Sequence, residues 1–149
     1  MNFKEQIISN FNKESFSLKD HSTNGKLNGK WEAVDPHIRE FVKRVNESEN
    51  INTLYSCEGH GEKDSAYFFF NVNEKGWDIF YGKVVPELSH ALTFIDDSIL
   101  NILFNITTST YGTKGIAIHC NLEQTGIYWQ DIKERFWKEI DIIFTKYFL

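Results

Sequence analysis

A cysteine, a histidine and two glycines stand close together in the segment LYSCEGHGEKDS, residues 54–65. Cys57 and His60 have the C-x2-H spacing of two zinc ligands. The same pair also fits a nucleophilic thiol with a nearby base. Gly59 and Gly61 flank the histidine, and glycines let backbone amides approach an anionic ligand closely. This segment is therefore the candidate functional site.

Several interpretations of the segment stay open at this point. The simplest is a structural turn at the end of a strand, with a buried thiol and a solvated imidazole. In a zinc site, a third ligand would come from His119 or Cys120, and strand alternation lets only one of these two face the metal. In a nucleophilic site, His60 or His119 would activate Cys57.

The remaining interpretation is a binding loop for a polar small molecule. It combines the polar groups of the loop with aromatic rings on which a ligand can stack. The predicted ligand-binding residues are Tyr55, Ser56, Cys57, Glu58, Gly59, His60, Gly61 and Tyr67. Our leading prediction is a small protein that binds a polar molecule, with nucleotide-type metabolites as one class. In a phage or mobile element, such a protein would act by sequestration.

Composition limits the classes of function. The 149 residues carry a formal net charge of -5, which argues against general nucleic-acid binding because phosphate contacts require clustered Lys and Arg. Aromatic residues make up 15% of the chain. Negative charge and aromatic content also suit a protein that docks onto a basic partner. A protein-protein inhibitor or immunity-type protein is therefore an alternative function.

The chain shows no sign of secretion or membrane insertion. Its first residues, MNFKEQIISNFNK, lack the apolar segment of a signal peptide. No apolar run approaches the roughly 20 residues that a membrane helix needs. Two cysteines do not make a disulfide framework. We therefore predict a cytoplasmic protein that does not associate with membranes.

The elements expected to position the loop are those of a single α+β domain over residues 1–149. We predict a mainly antiparallel sheet of about five strands with helices packed on one face. Helical spacing or start signals predict helices at 3–11, from Asp35 to about 46–50, from Pro86 onward, and from Trp129 to Tyr147. Strands are predicted at 51–57, 66–73, 77–85 and 114–122, with 66–85 as a hairpin, and the composition of 98–112 favours a strand over a helix. The polar residues 14–30 predict a flexible surface loop.

Residues 31–70 resemble a bacterial and phage group of small uncharacterised proteins. Its members share a helix, a short connection, the pattern T-x-x-S-C-x-G-H and then an apolar strand. The pattern is matched by Thr53, Ser56, Cys57, Gly59 and His60. The resemblance covers about a quarter of the chain and implies no settled activity.

The Ser-Cys-x-Gly segment at a strand end, followed by sheet and GIAIHC, is similar in a more remote way to the wybutosine-synthesising methyltransferase family, which acts on tRNA. The resemblance implies a likeness of fold and places Ser56, Cys57 and Gly59 in the active-site region. An enzyme, either zinc-dependent or tRNA-modifying, is accordingly a further alternative function.

Overall fold

The computed structural model describes residues 2–11, 31–32, 34–92, 104–107 and 115–149. The helical elements are α1 (Phe3–Phe11), a 3-10 turn (Pro36–Ile38) running into α2 (Arg39–Val45), α3 (Glu74–Ile79), a π-helical segment (Phe80–Val84), α4 (Val85–Ala91), 3-10 turns (Leu122–Tyr128) and α5 (Trp129–Phe148). The strands are β1 (Ile51–Cys57), β2 (Ser65–Val72), β3 (Phe104–Thr107) and β4 (Ile116–Asn121). The described part of the chain is therefore α+β.

The strands form an antiparallel sheet in the order β1-β2-β4-β3. Cys57, the last residue of β1, pairs with Tyr67 of β2, and Tyr67 pairs with His119 of β4. Residues that pair directly point to the same face of a sheet. The register shifts between Thr53 and Tyr55, so β1 is irregular in its middle. The predicted loop follows the end of β1, which is an edge strand of the sheet.

Helices cover one face of the sheet. Phe68 and Phe70 of β2 point toward these helices and contact Phe144 of α5, with ring centroids 5.2 and 5.5 Å apart. Phe41 of α2 packs against Phe68 at 5.4 Å, and Phe80 packs against Phe70 at 5.2 Å. All five rings are buried. This aromatic cluster packs α2 and α5 against the sheet.

α2 is joined to β1 through the side chain of Asn46. Its Nδ2 donates to the carbonyl of Val42 and to Oγ1 of Thr53, both at 2.7 Å, and its Oδ1 accepts from the amide of Thr53 at 3.0 Å. Asn46 and Thr53 are both buried. A buried polar side chain is tolerated when its donors and acceptor are used in this way. The bonds fix the position of α2 against the strand that leads into the loop.

The predicted hairpin over 66–85 is wrong beyond Val72. The chain turns at Asn73, whose Oδ1 accepts from the amide of Gly76 at 2.8 Å, and a helix begins at Glu74. The segment WDIFYGKVV, predicted as a strand, is helical throughout and runs without a break into α4. Aromatic and β-branched residues favour strands only weakly, and tertiary packing overrides that preference.

The other predicted elements in the described ranges are confirmed, with shifts of one or two residues at some ends. They are the first and last helices, the helix that follows Asp35 and the strands β1, β2 and β4. The count of about five strands is not confirmed. The predicted loop at 14–30 and most of 98–112 lie outside the described residues. None of the helices in the described ranges has the length and apolar character needed to cross a membrane.

Alanine substitution is expected to change the free energy of unfolding in opposite directions at two glycines of the 74–91 helical region. A Cβ on Gly76 would lie 2.2 Å from the carbonyl oxygen of Asn50 and 2.8 Å from the Cβ of Val72, whereas a Cβ on Gly82 meets nothing within 4 Å. Gly76→Ala is therefore expected to lower the free energy of unfolding by about 1–3 kcal/mol. Gly82→Ala is expected to raise it by about 0.5–1 kcal/mol, because alanine favours helix. Urea denaturation of both variants tests this, and equal effects would contradict the close packing at Gly76.

Candidate functional site

The loop after β1 uses its backbone amides within the chain. The amide of Glu58 donates to Oδ2 of Asp35 at 2.9 Å, and the amide of His60 donates to Oδ2 of Asp64 at 2.9 Å. Gly59 adopts φ 91°, and a Cβ there would lie 2.7 Å from Cδ1 of Leu122. The amides of residues 58 and 60 are therefore occupied by the protein's own carboxylates. They do not form the anion-binding turn that the glycines suggested.

The side chains on one side of this loop form a compact polar cluster, which we call the Asp35 corner: Asp35, Cys57, His60 and Asp64. Nε2 of His60 lies 3.1 Å from Oδ2 of Asp35. Sγ of Cys57 lies 4.0 Å from Oδ2 of Asp64. Asp35 precedes the 3-10 turn at Pro36, as the sequence predicts, but its side chain makes no capping hydrogen bond. It contacts the loop instead.

The environment of Cys57 makes its thiol a poor nucleophile. Burial raises the pKa of this thiol to about 11. The carboxylates of Asp64, Asp35 and Glu58 contribute to this rise, and a hydrogen bond with the backbone of Gly59 opposes it. A thiol with this pKa is almost entirely protonated near pH 7, and the thiolate is the reactive form. The raised pKa of the Cys57 thiol therefore does not favour the nucleophilic interpretation.

On the other side of the loop, Glu58 is anchored by several parts of the chain. Its backbone amide donates a hydrogen bond to Asp35, and its carbonyl accepts one from Nε1 of Trp137 at 2.9 Å. Its Oε2 lies 2.6 Å from Nδ1 of His37 and 3.6 Å from Nζ of Lys133. The side chain of Glu58 is only 5% exposed. A buried carboxylate therefore sits in a fixed position between two basic side chains.

This carboxylate lies in a groove of about 480 Å³ between α2 and α5, which we call the Glu58 groove. Ile38, Phe41 and Trp137 provide buried apolar lining. Lys133 and Lys138 contribute positive charge, and Glu134 and Asp141 contribute negative charge in addition to Glu58. Its volume lies within the range of roughly 300–1,000 Å³ that is usual for small-molecule sites. Apolar side chains and several charged groups therefore meet in one concave site.

The other residues predicted to bind a ligand lie away from this groove. Tyr55 is buried and stacks on Phe69 at 5.8 Å, and Tyr67 packs against His119 at 5.6 Å. Both tyrosines belong to the face of the sheet opposite α5. Ser56 pairs with Phe68 and is buried on the helix-covered face. Of the predicted ligand-binding residues, Glu58 is the one that lines the groove.

The two predicted metal ligands on β4 are separate from Cys57. His119 lies two strands away, with Tyr67 between them, which places their Cα atoms about 10 Å apart. Cys120 is buried in the core on the opposite face, and burial raises its pKa to about 12. Burial also lowers the pKa of His119. Among the described residues, Asp35 and not a residue of β4 brings a further potential ligand atom within 4.8 Å of those of Cys57 and His60.

Sequence reasoning did not identify four residues that matter here: Asp35, His37, Lys133 and Trp137. Asp35 was predicted only as the start of a helix, and the side chain of His37 is 80% exposed. Lys133 and Trp137 lie 75 and 79 residues beyond Glu58. Local spacing carries no signal for contacts at that separation.

Compared with known proteins, the chain matches no family model, no curated protein and no solved structure. The two resemblances drawn from the Ser-Cys-x-Gly-His motif therefore stay predictions.

Proposed function

We propose that the protein binds a polar small molecule in the Glu58 groove. The observation that carries this proposal is the buried Glu58 carboxylate, held in a groove with apolar lining by contacts from α5 and the Pro36–Ile38 turn. A group held in place before binding costs little further ordering when a ligand arrives. The groove is therefore prepared for a specific hydrogen-bonding partner.

The groups in the groove indicate the class of ligand. The Glu58 carboxylate accepts hydrogen bonds, so it suits a ligand N–H or O–H group. Lys133 and Lys138 suit an anionic group, and the apolar lining from Phe41 and Trp137 suits a ring. Nucleotide-type metabolites combine these three features. Binding without conversion, as in sequestration, is the role we assign to the site.

A thermal-shift screen against nucleosides and nucleotides tests the proposal. A ligand present at 100 times its Kd stabilises the folded state by about 2.7 kcal/mol, which corresponds to an increase in Tm of about 5–10 °C for a chain of this size. We expect at least one compound to give such an increase. Mass spectrometry is expected to recover that compound unchanged.

Matched variants assign the binding to the groove. Glu58→Gln keeps the shape of the side chain but removes its charge, and it is expected to abolish the ligand-induced increase in Tm. Glu123→Gln makes the same change at an exposed position outside the groove and is expected to preserve that increase. Binding that survives Glu58→Gln, or no binding by any compound, would contradict the proposal.

A further inference from the structure

The Asp35 corner brings three different types of metal-binding side chain together. One ligand atom from each of Asp35, Cys57 and His60 lies within 4.8 Å of the other two. Asp35 lies just before the Pro36–Ile38 turn, Cys57 ends β1, and His60 belongs to the loop that follows. A carboxylate, a thiol and an imidazole are therefore assembled by separate parts of the fold.

Contacts around the corner hold these ligands in place. Oδ2 of Asp35 accepts the amide of Glu58, and Oδ2 of Asp64 accepts the amide of His60. Asp64 is held in turn, because its Oδ1 accepts from the amide of Ser65 at 2.8 Å. Supporting hydrogen bonds of this kind orient the ligands of metal sites and strengthen binding. Asp64 is therefore a positioning residue for His60.

We propose that Asp35, Cys57 and His60 bind a divalent zinc-like ion, with a fourth position open to solvent. Sulfur and imidazole ligands in a tetrahedral arrangement suit zinc and cobalt, whereas magnesium and calcium prefer oxygen ligands. The side chain of His60 is 56% exposed, so the corner is accessible. The ion replaces the thiol proton of Cys57, which is released to solvent.

The distances are compatible with this ion after a small adjustment. Zinc bonds of about 2.0–2.3 Å place tetrahedral ligand atoms roughly 3.3–3.8 Å apart. The 3.1 Å between Nε2 of His60 and Oδ2 of Asp35 is close to this range. The widest separation is at most 4.8 Å, so the side chains need to approach by at most about 1 Å.

Cobalt titration of the full chain, without nucleotide, tests the inference. We expect one equivalent of Co²⁺ to produce a thiolate-to-cobalt charge-transfer band in the near ultraviolet and the visible bands of a tetrahedral site, and Zn²⁺ to remove both. Competition with a chromophoric chelator gives the zinc affinity. Asp35→Asn, Cys57→Ser and His60→Gln are each expected to weaken it about 100-fold or more, since loss of a supporting residue alone costs about 10–100-fold.

Two control variants distinguish this ligand set from the one predicted from sequence. His119→Gln and Cys120→Ala are expected to retain zinc affinity, and circular dichroism establishes that each variant is folded. Asp35→Asn keeps an oxygen that can accept the amide of Glu58. Less than one equivalent of cobalt, no thiolate band, or a loss of affinity in the β4 variants instead would overturn the inference. Because no nucleotide is present, the result is independent of the proposed ligand in the Glu58 groove.

Discussion

Replacing Trp137 with alanine is expected to lower the free energy of unfolding by about 3–5 kcal/mol and to abolish ligand binding in the Glu58 groove. The Trp137 ring packs against Phe136, Phe41 and Phe68, with centroids 5.1–6.4 Å apart. Its Nε1 also donates to the carbonyl of Glu58. Alanine removes both contributions, and with them part of the apolar lining of the groove. Denaturant unfolding and ligand titration measure the two effects.

A second substitution at the same position separates packing from hydrogen bonding. Trp137→Phe keeps an aromatic ring but removes the N–H donor, which leaves the carbonyl of Glu58 without that bond. The expected loss of stability is about 1–3 kcal/mol, the usual cost of an unsatisfied buried polar group. If Trp137→Phe leaves both stability and ligand binding unchanged, the bond to Glu58 does not position the site.

Phe144→Ala is expected to destabilise the protein by about 3–5 kcal/mol without removing any residue of the groove. Phe144 is fully buried, and its ring lies within 6.3 Å of five further rings, which belong to Phe41, Phe68, Phe70, Phe80 and Phe148. The truncation leaves a cavity at the point where α5 and the sheet meet. Urea denaturation monitored by circular dichroism measures the loss.

Phe3→Ala provides the matched control for this change. Phe3 lies in α1 and is 53% exposed, so the same truncation removes far less buried area. We expect it to cost about 1 kcal/mol or less. Equal losses for Phe144→Ala and Phe3→Ala would show that the aromatic cluster does not carry the stability assigned to it.

The parts of the fold with one clear periodicity were predictable from sequence. α5 has apolar residues at intervals of three and four from Trp129 onward, and the structure places its end one residue beyond the predicted Tyr147. β2 and β4 are short apolar runs bounded by polar or glycine residues, which is typical of buried strands. In these segments, local pattern and tertiary packing favour the same structure.

The 74–91 region shows where local preference fails. Its aromatic and β-branched residues favour a strand, yet Phe80, Val84 and Leu88 recur every four residues and are all buried. That spacing, together with a capping residue at Asn73, was the available signal for a helix. Packing of these buried residues against the core stabilises the helix over the strand.

The candidate site was predictable in position but not in composition. The Ser-Cys-x-Gly-His motif identified the loop, and Glu58, Cys57 and His60 all have polar contacts there. The partners of these residues come from other elements, as Asp35 and Trp137 illustrate. The glycines predicted that backbone amides of the loop would contact an anion, but the amides of Glu58 and His60 are bonded to Asp35 and Asp64. Which side of the loop opens into a groove depends on how α2 and α5 pack.

NMR of the tryptophan indole N–H groups tests the binding proposal most directly. The chain has four tryptophans, and the spectrum of Trp137→Phe identifies the Trp137 signal by its absence. When a compound from the nucleotide screen is titrated in, our account predicts a saturable shift of this signal, because its N–H donates to Glu58 in the groove. An unmoved Trp137 signal, while the ligand binds and shifts other resonances, would contradict binding in the Glu58 groove.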